Sequence, residues 1–180
     1  MLYRLIAQST PAWKSLSNKA DSDNENFYKN YLFPVIGIIA LLSFVGILLS
    51  SQVLNVQLAL KTVIKQLFVY GGGFYLISHL VSEYLFPRFE LEKDRYLSER
   101  FIGYASSLLY VLVMVTAFFP DLFMLLVIFT FYIVWVGATH YLKIKEEQIV
   151  QFTVIAGMMI ILTPALIDLI VGKLMPGMNK

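Results

Sequence analysis

The chain contains no cysteine. Disulfides, thiolate metal sites and thiol nucleophiles are excluded together. It is also poor in charge. Asp, Glu, Lys and Arg make up 14% of its 180 residues, against roughly 25% in an average soluble domain. The formal net charge of +2 is too small to point to nucleic acid. Chemical motifs are missing too: there is no GxSxG and no HExxH, and no DxD or paired-acid pair stands in a catalytic arrangement. No apolar core follows the initiator methionine. Lys14, Lys19, Asp21, Asp23, Glu25 and Lys29 crowd the first thirty residues, so the first apolar run is expected to act as an uncleaved signal-anchor.

Apolar residues are what the chain has in excess: 58% of it is hydrophobic, with mean hydropathy +0.72. A single small domain keeps much of its surface in water and cannot hide that much. The apolar residues fall in runs long enough to cross a bilayer. The expected fold is all-α: a polytopic integral membrane protein with five transmembrane helices and an N-terminal amphipathic interfacial helix.

Residues 1–30 read as a cytosolic amphipathic helix followed by a polar linker. Leu2, Leu5, Ile6, Trp13 and Leu16 share one side of residues 1–17, and Pro11 allows two short helices there. Trp13 suits a membrane surface at headgroup level. The same helix also suits docking on the protein's own cytosolic face. Five spans follow, at about 31–50, 63–86, 101–119, 122–141 and 150–171, making a membrane domain over 31–172. An external tail covers 173–180. Residues 51–62 are too polar for lipid and too apolar for a free loop, and read as a short surface helix.

Span 2 is the least ordinary. Its length, roughly 36 Å as a straight helix, exceeds a hydrocarbon core of about 30 Å. It should tilt, or bend at Gly71, Gly72 and Gly73, whose meaning is close helix approach or a hinge. Ala40, Ser43 and Gly46 (with Ser50) form a small-residue band in span 1 suited to close packing. Pro164 is a bend point in span 5. Between spans 3 and 4, Pro120-Asp121 makes a tight turn.

Five spans place the termini on opposite sides. With a cytosolic N-terminus, Arg4, Lys14, Lys19, Lys29, Arg88, Lys93, Arg95, Arg100, Lys143 and Lys145 lie inside. Lys61, Lys65, Lys173 and Lys180 lie outside, ten against four of the 14 basic residues. The positive-inside rule therefore gives a cytosolic N-terminus and an external C-terminus.

Ionisable groups at membrane depth are costly and become functional candidates. His79 and Glu83 are spaced i, i+4, so they share one helix face. Tyr104, Ser106 and Ser107 begin span 3 and His140 ends span 4 on the same side. These six form a candidate polar pocket open to the cytosol. The plainer reading has Glu83 pair with Arg88 or reach interfacial water, and His79 hydrogen-bond a neighbouring helix. A metal on His79, Glu83 and His140 is allowed by ligand type, but no motif supports it, and neither metal nor cofactor is expected. Asp168 is expected to pair with Lys173 or cap the bend at Pro164.

The layout resembles the Yip family, named for interaction with Ypt/Rab-type GTPases, and in particular its prokaryotic branch. The resemblance rests on Pro11-Ala12-Trp13 ahead of span 1, five spans with short loops, and Gly103-Tyr104-Ala105-Ser106-Ser107 opening span 3. That last run is similar to the family's Gly-Tyr-x-x-x-Pro pattern, with Leu108 where proline is common. The resemblance implies a non-enzymatic membrane protein linked to trafficking or membrane shaping, in a prokaryotic cytoplasmic membrane. The long acidic cytosolic domain of eukaryotic members is missing, so no GTPase partner is expected. Membrane lipids, a second copy or another membrane protein are the expected partners. A small transporter or channel using the His79 and Glu83 pocket is the alternative function, and an enzyme acting on lipids is third.

Overall fold

In the computed structural model the described residues are 1–17, 24–50, 55–116 and 126–175. Among them every regular element is helical. The expected turn at Pro120-Asp121, the start of span 4, and residues 18–23, 51–54 and 176–180 lie outside the described residues.

The N-terminal segment is two short helices, α1 (Leu2–Ala7) and α2 (Ser9–Ser17). The break falls at Gln8, whose backbone leaves the helical region (φ −133, ψ 55). Pro11 instead sits in the first turn of α2, where its missing N–H does no harm. The expectation of a purely interfacial helix needs correction. Leu5, Ser9, Ala12 and Trp13 are buried, α1 packs on residues 107–116 and α2 on residues 129–140. Of the two sequence alternatives, docking against protein is the one seen.

α3 (residues 24–50) runs from Asn24–Phe27 through one π-helical turn, Tyr28–Leu32, into Phe33–Ser50. α4 (residues 56–88) opens on Asn55, whose side chain accepts the Leu58 N–H at 2.9 Å and caps the helix. It then continues without a break through π-helical turns at Leu67–Gly72 and Val81–Leu85. The separate surface helix expected to end at Thr62 is therefore absent: residues 56–62 are the first turns of α4. They pack closely against α3, so an apolar neighbour, rather than lipid headgroups, covers Ala59. Gly72 and Gly73 keep right-handed helical angles.

The central element is a bent pair, α5 (Arg95–Ala105) and α6 (Ser107–Thr116), meeting at 42° across Ser106. Every residue from Phe101 to Tyr110 is buried. Such a helix, covered on all sides, is the middle of a bundle. α1, α3, α4 and α7 (Phe129–His140) all pack around this pair. α8 (Glu146–Leu174) is continuous through Pro164 and lies against α7 and α4.

Among the described residues two helices are long and apolar enough to cross a membrane. The most apolar stretches of Tyr28–Leu49 and of α8 have mean hydropathies of 2.8 and 2.4, and α5 with α6 makes a third if the bent pair is one span. α4, with Lys61, Lys65, His79, Glu83 and three glycines, does not pass the same test.

Glycine shapes the contacts at three places. An added Cβ at Gly103 would lie 2.4 Å from Phe27 Cζ, at Gly137 2.7 Å from Trp13 Cζ2, and at Gly157 2.5 Å from Phe131 Cδ1. In each case an aromatic ring fills the space that a side chain would take. Of the triplet in α4, Gly73 alone meets a neighbour, Ile167 and Pro164 of α8, while Gly71 and Gly72 face open space.

Candidate functional site

The six residues expected to form a cytosolic pocket do not gather. Ile77, Ser78, Val81, Ser82 and Leu85 make the buried side of α4. His79 lies off that side and is exposed, and Glu83 is half-exposed. The i, i+4 spacing does place both on one face, but that face looks outward. Glu83 binds Lys93 at 2.7 Å, not Arg88. His140 is half-buried at the end of α7. Among the described residues no three His, Asp or Glu side chains come together in a manner that could hold a metal.

Tyr104, Ser106 and Ser107 are inside the bundle, and a different polar cluster forms around them. Its origin is the bend. Ser106 (φ −78, ψ 1) closes α5 and its own N–H still reaches Ile102 O at 2.9 Å. The helix resumes at Ser107 in a new direction, so two serines face the interior at one level. Tyr31 enters from α3: its hydroxyl donates to the Gly103 carbonyl at 3.3 Å and its ring lies 4.8 Å from Tyr104. Tyr110 adds a second phenol from α6, beside Ser106, and its ring meets Tyr70 of α4 edge-on at 6.3 Å. The Ser107 hydroxyl is fully buried and lies beside Tyr31.

Charged groups mark the two ends of the bundle. At one end Lys65 of α4 binds Asp168 of α8 at 2.8 Å. The sequence had offered Lys173 or the Pro164 bend for Asp168. At the other end Glu99 is only 3% exposed and is held by Arg95 at 2.9 Å, with Tyr28 beside it. Glu99 is the buried carboxylate that sequence reading missed. It sat in the most charged segment of the chain, and its i−4 arginine was the available signal. Loop residues Glu90 and Lys145 also pair, so the 89–94 and 141–145 connections lie on the same side. The Glu90 carboxylate there raises the Lys145 ammonium above the usual lysine range.

Trp13 closes the cluster from below. Its ring is 5.8 Å from Phe101, 6.2 Å from Tyr104 and 5.5 Å from Tyr141. Compared with family models, with characterised proteins and with solved structures, the chain matches none.

Proposed function

We propose that the chain is a non-enzymatic integral membrane protein of five spans that acts through helix packing, as a membrane-organising or partner-binding module. One observation supports it above others. Val150, Val154, Met158, Leu162 and Leu166, with Leu169 and Ile170, form an exposed apolar stripe along α8. The opposite face, with Phe152, Ala156, Ile160 and Pro164, is buried. Repeated at four-residue spacing over a whole helix, such a stripe needs an apolar solvent, and lipid is that solvent.

The proposed location is a prokaryotic cytoplasmic membrane, with the N-terminus cytosolic and the C-terminus external. The same-side placement of the 89–94 and 141–145 connections supports that arrangement, because both belong to the basic side. The likeness to the Yip family rests on the sequence segments Pro11-Ala12-Trp13 and Gly103-Tyr104 alone. No GTPase partner is proposed.

Ala40, Ser43, Gly46 and Gly73 are used within the bundle. Gly37, Gly71 and Gly72 face open space. The proposed contact surface for a second copy or another membrane protein is therefore the α3–α4 side. Because the chain lacks cysteine, Gly71→Cys and Gly37→Cys give clean probes. Oxidation in native membranes should produce a dimer or a product with another membrane protein. Monomer alone at both positions would refute the packing role.

A further inference from the structure

The depth of the Lys65–Asp168 pair follows from helix length. Asp168 lies about 33 Å along α8 from Glu146, at about 1.5 Å per residue. Lys65 lies about 27 Å along α4 from Glu83 by the same measure. Glu146 follows the 141–145 connection, and Glu83 is bound to Lys93 of the 89–94 connection. Those two connections are joined by Glu90 and Lys145, so both lengths start from one side of the bundle. A hydrocarbon core is about 30 Å thick. The pair therefore stands at headgroup level in the opposite leaflet and not at mid-depth.

Inward from the pair, the seam between α4 and α8 is closed by hydrocarbon. A Cβ at Gly73 would lie 3.4 Å from Ile167 Cδ1 and 3.9 Å from Pro164 Cγ. The two charges themselves are covered unequally. Lys65, bound to Asp168 Oδ1 at 2.8 Å, is 18% exposed, whereas Asp168 is 46% exposed. The second oxygen of Asp168 has no hydrogen bond or ion pair among the described residues. Asp168 stands on the border between the two faces of α8. Pro164, one turn before it, is buried, while Ala165 is exposed. Ala165, Leu162 and Met158 lead inward from Asp168 at three- and four-residue spacing, all exposed. A carboxylate at headgroup level thus opens sideways onto a row read as facing lipid, with one oxygen held and one to spare.

We propose that this pair binds the headgroup of an ethanolamine phospholipid. The proposal rests on the reading of the chain as membrane-spanning. A primary ammonium carries three N–H donors, like that of lysine, and gives the open Asp168 oxygen a charge-assisted hydrogen bond. The phosphate of the same headgroup accepts an N–H that Lys65 does not use on Asp168, so positive and negative charges alternate. The acyl chains run along Ala165, Leu162 and Met158. A choline headgroup has no N–H to donate. A glycerol headgroup brings a phosphate with no cation of its own, and the more exposed partner here is already an anion. Free ethanolamine lacks the chains that the apolar row would hold.

The test is native mass spectrometry of the full chain, released from micelles that contain equal amounts of phosphatidylethanolamine, phosphatidylcholine and phosphatidylglycerol with the same acyl chains. Flotation with vesicles of that mixture and resistance to alkaline extraction check insertion. The ethanolamine lipid should be retained about tenfold more than the choline lipid, the size of one charge-assisted hydrogen bond. Asp168→Asn should bring the two close to equal. Lys65→Asp with Asp168→Lys keeps a pair but turns an ammonium towards lipid, so it should favour phosphatidylglycerol instead, and it decides the matter if Asp168→Asn does not fold. Glu147→Gln, exposed at the other end of α8, should leave the preference unchanged. Inserted protein with no ethanolamine preference overturns the proposal and leaves the membrane-spanning reading standing, as does a preference that survives both Asp168 variants. A chain that fails to insert overturns the membrane-spanning reading, and the proposal with it.

Discussion

Gly137→Ala sets two effects of opposite sign against each other. The new Cβ would lie 2.7 Å from Trp13 Cζ2, 2.9 Å from Trp13 Cε2 and 3.0 Å from Phe101 Cε2, well inside the roughly 3.5–4.0 Å of an ordinary carbon contact. Trp13 is fully buried against Phe101, Tyr104 and Tyr141 and has nowhere to retreat. Overpacking of this kind costs about 1–3 kcal/mol. Against it, alanine replaces glycine inside a helix for a gain of about 1 kcal/mol. The clash should win, for a net loss of up to about 2 kcal/mol. In a Trp13→Leu background the ring is gone while the helical gain remains, so Gly137→Ala should become neutral or stabilising by up to about 1 kcal/mol. Thermal unfolding in nanodiscs, followed by far-ultraviolet circular dichroism, measures all four corners of the cycle. An equal loss in both backgrounds would refute the claim that Trp13 occupies the Gly137 notch.

Two further outcomes follow from named contacts. Lys65 is mostly buried and Asp168 is 46% exposed, so Asp168→Asn should cost about 1–3 kcal/mol. The charge swap Lys65→Asp with Asp168→Lys should recover most of it; a swap as unstable as the single variant would sink the pairing. Ser98 is fully buried and its hydroxyl donates to the Ser78 carbonyl at 2.6 Å. Ser98→Ala should therefore cost about 0.5–1.5 kcal/mol in the same unfolding assay, and an unchanged midpoint would show that this bond does not fix α5 on α4.

The helical class and the apolar runs were legible because a membrane span is written in composition over some twenty residues. Tyr28–Leu49 and α8 carry that signal without interruption. What the sequence hid were relations between distant residues. Trp13 has the same amphipathic spacing whether its ring lies in headgroups or in a notch, and only Gly137, far along the chain, decides between them. His79 and Glu83 share a face by arithmetic, but arithmetic does not say which way that face looks. Glu99 was one acid in a charged run until Arg95 and Tyr28 were seen to enclose it. The bend at Ser106 occurs without proline, two residues before Leu108, so no local breaker announced it. Residues 56–62 read as a surface helix because their mixed polarity fits either headgroups or the polar-edged flank of a neighbouring helix.

The central claim is that α8 faces lipid along Val154, Met158, Leu162 and Leu166 and faces protein along Thr153, Ala156 and Ile160. Single cysteines at these positions, spin-labelled in reconstituted bilayers, can be read for collision with dissolved oxygen and with a water-soluble nickel chelate. The account predicts high oxygen and low nickel access at 154, 158, 162 and 166, and low access to both at 153, 156 and 160. Nickel access at the first four positions would show that the stripe faces water, and the membrane-spanning reading would be contradicted.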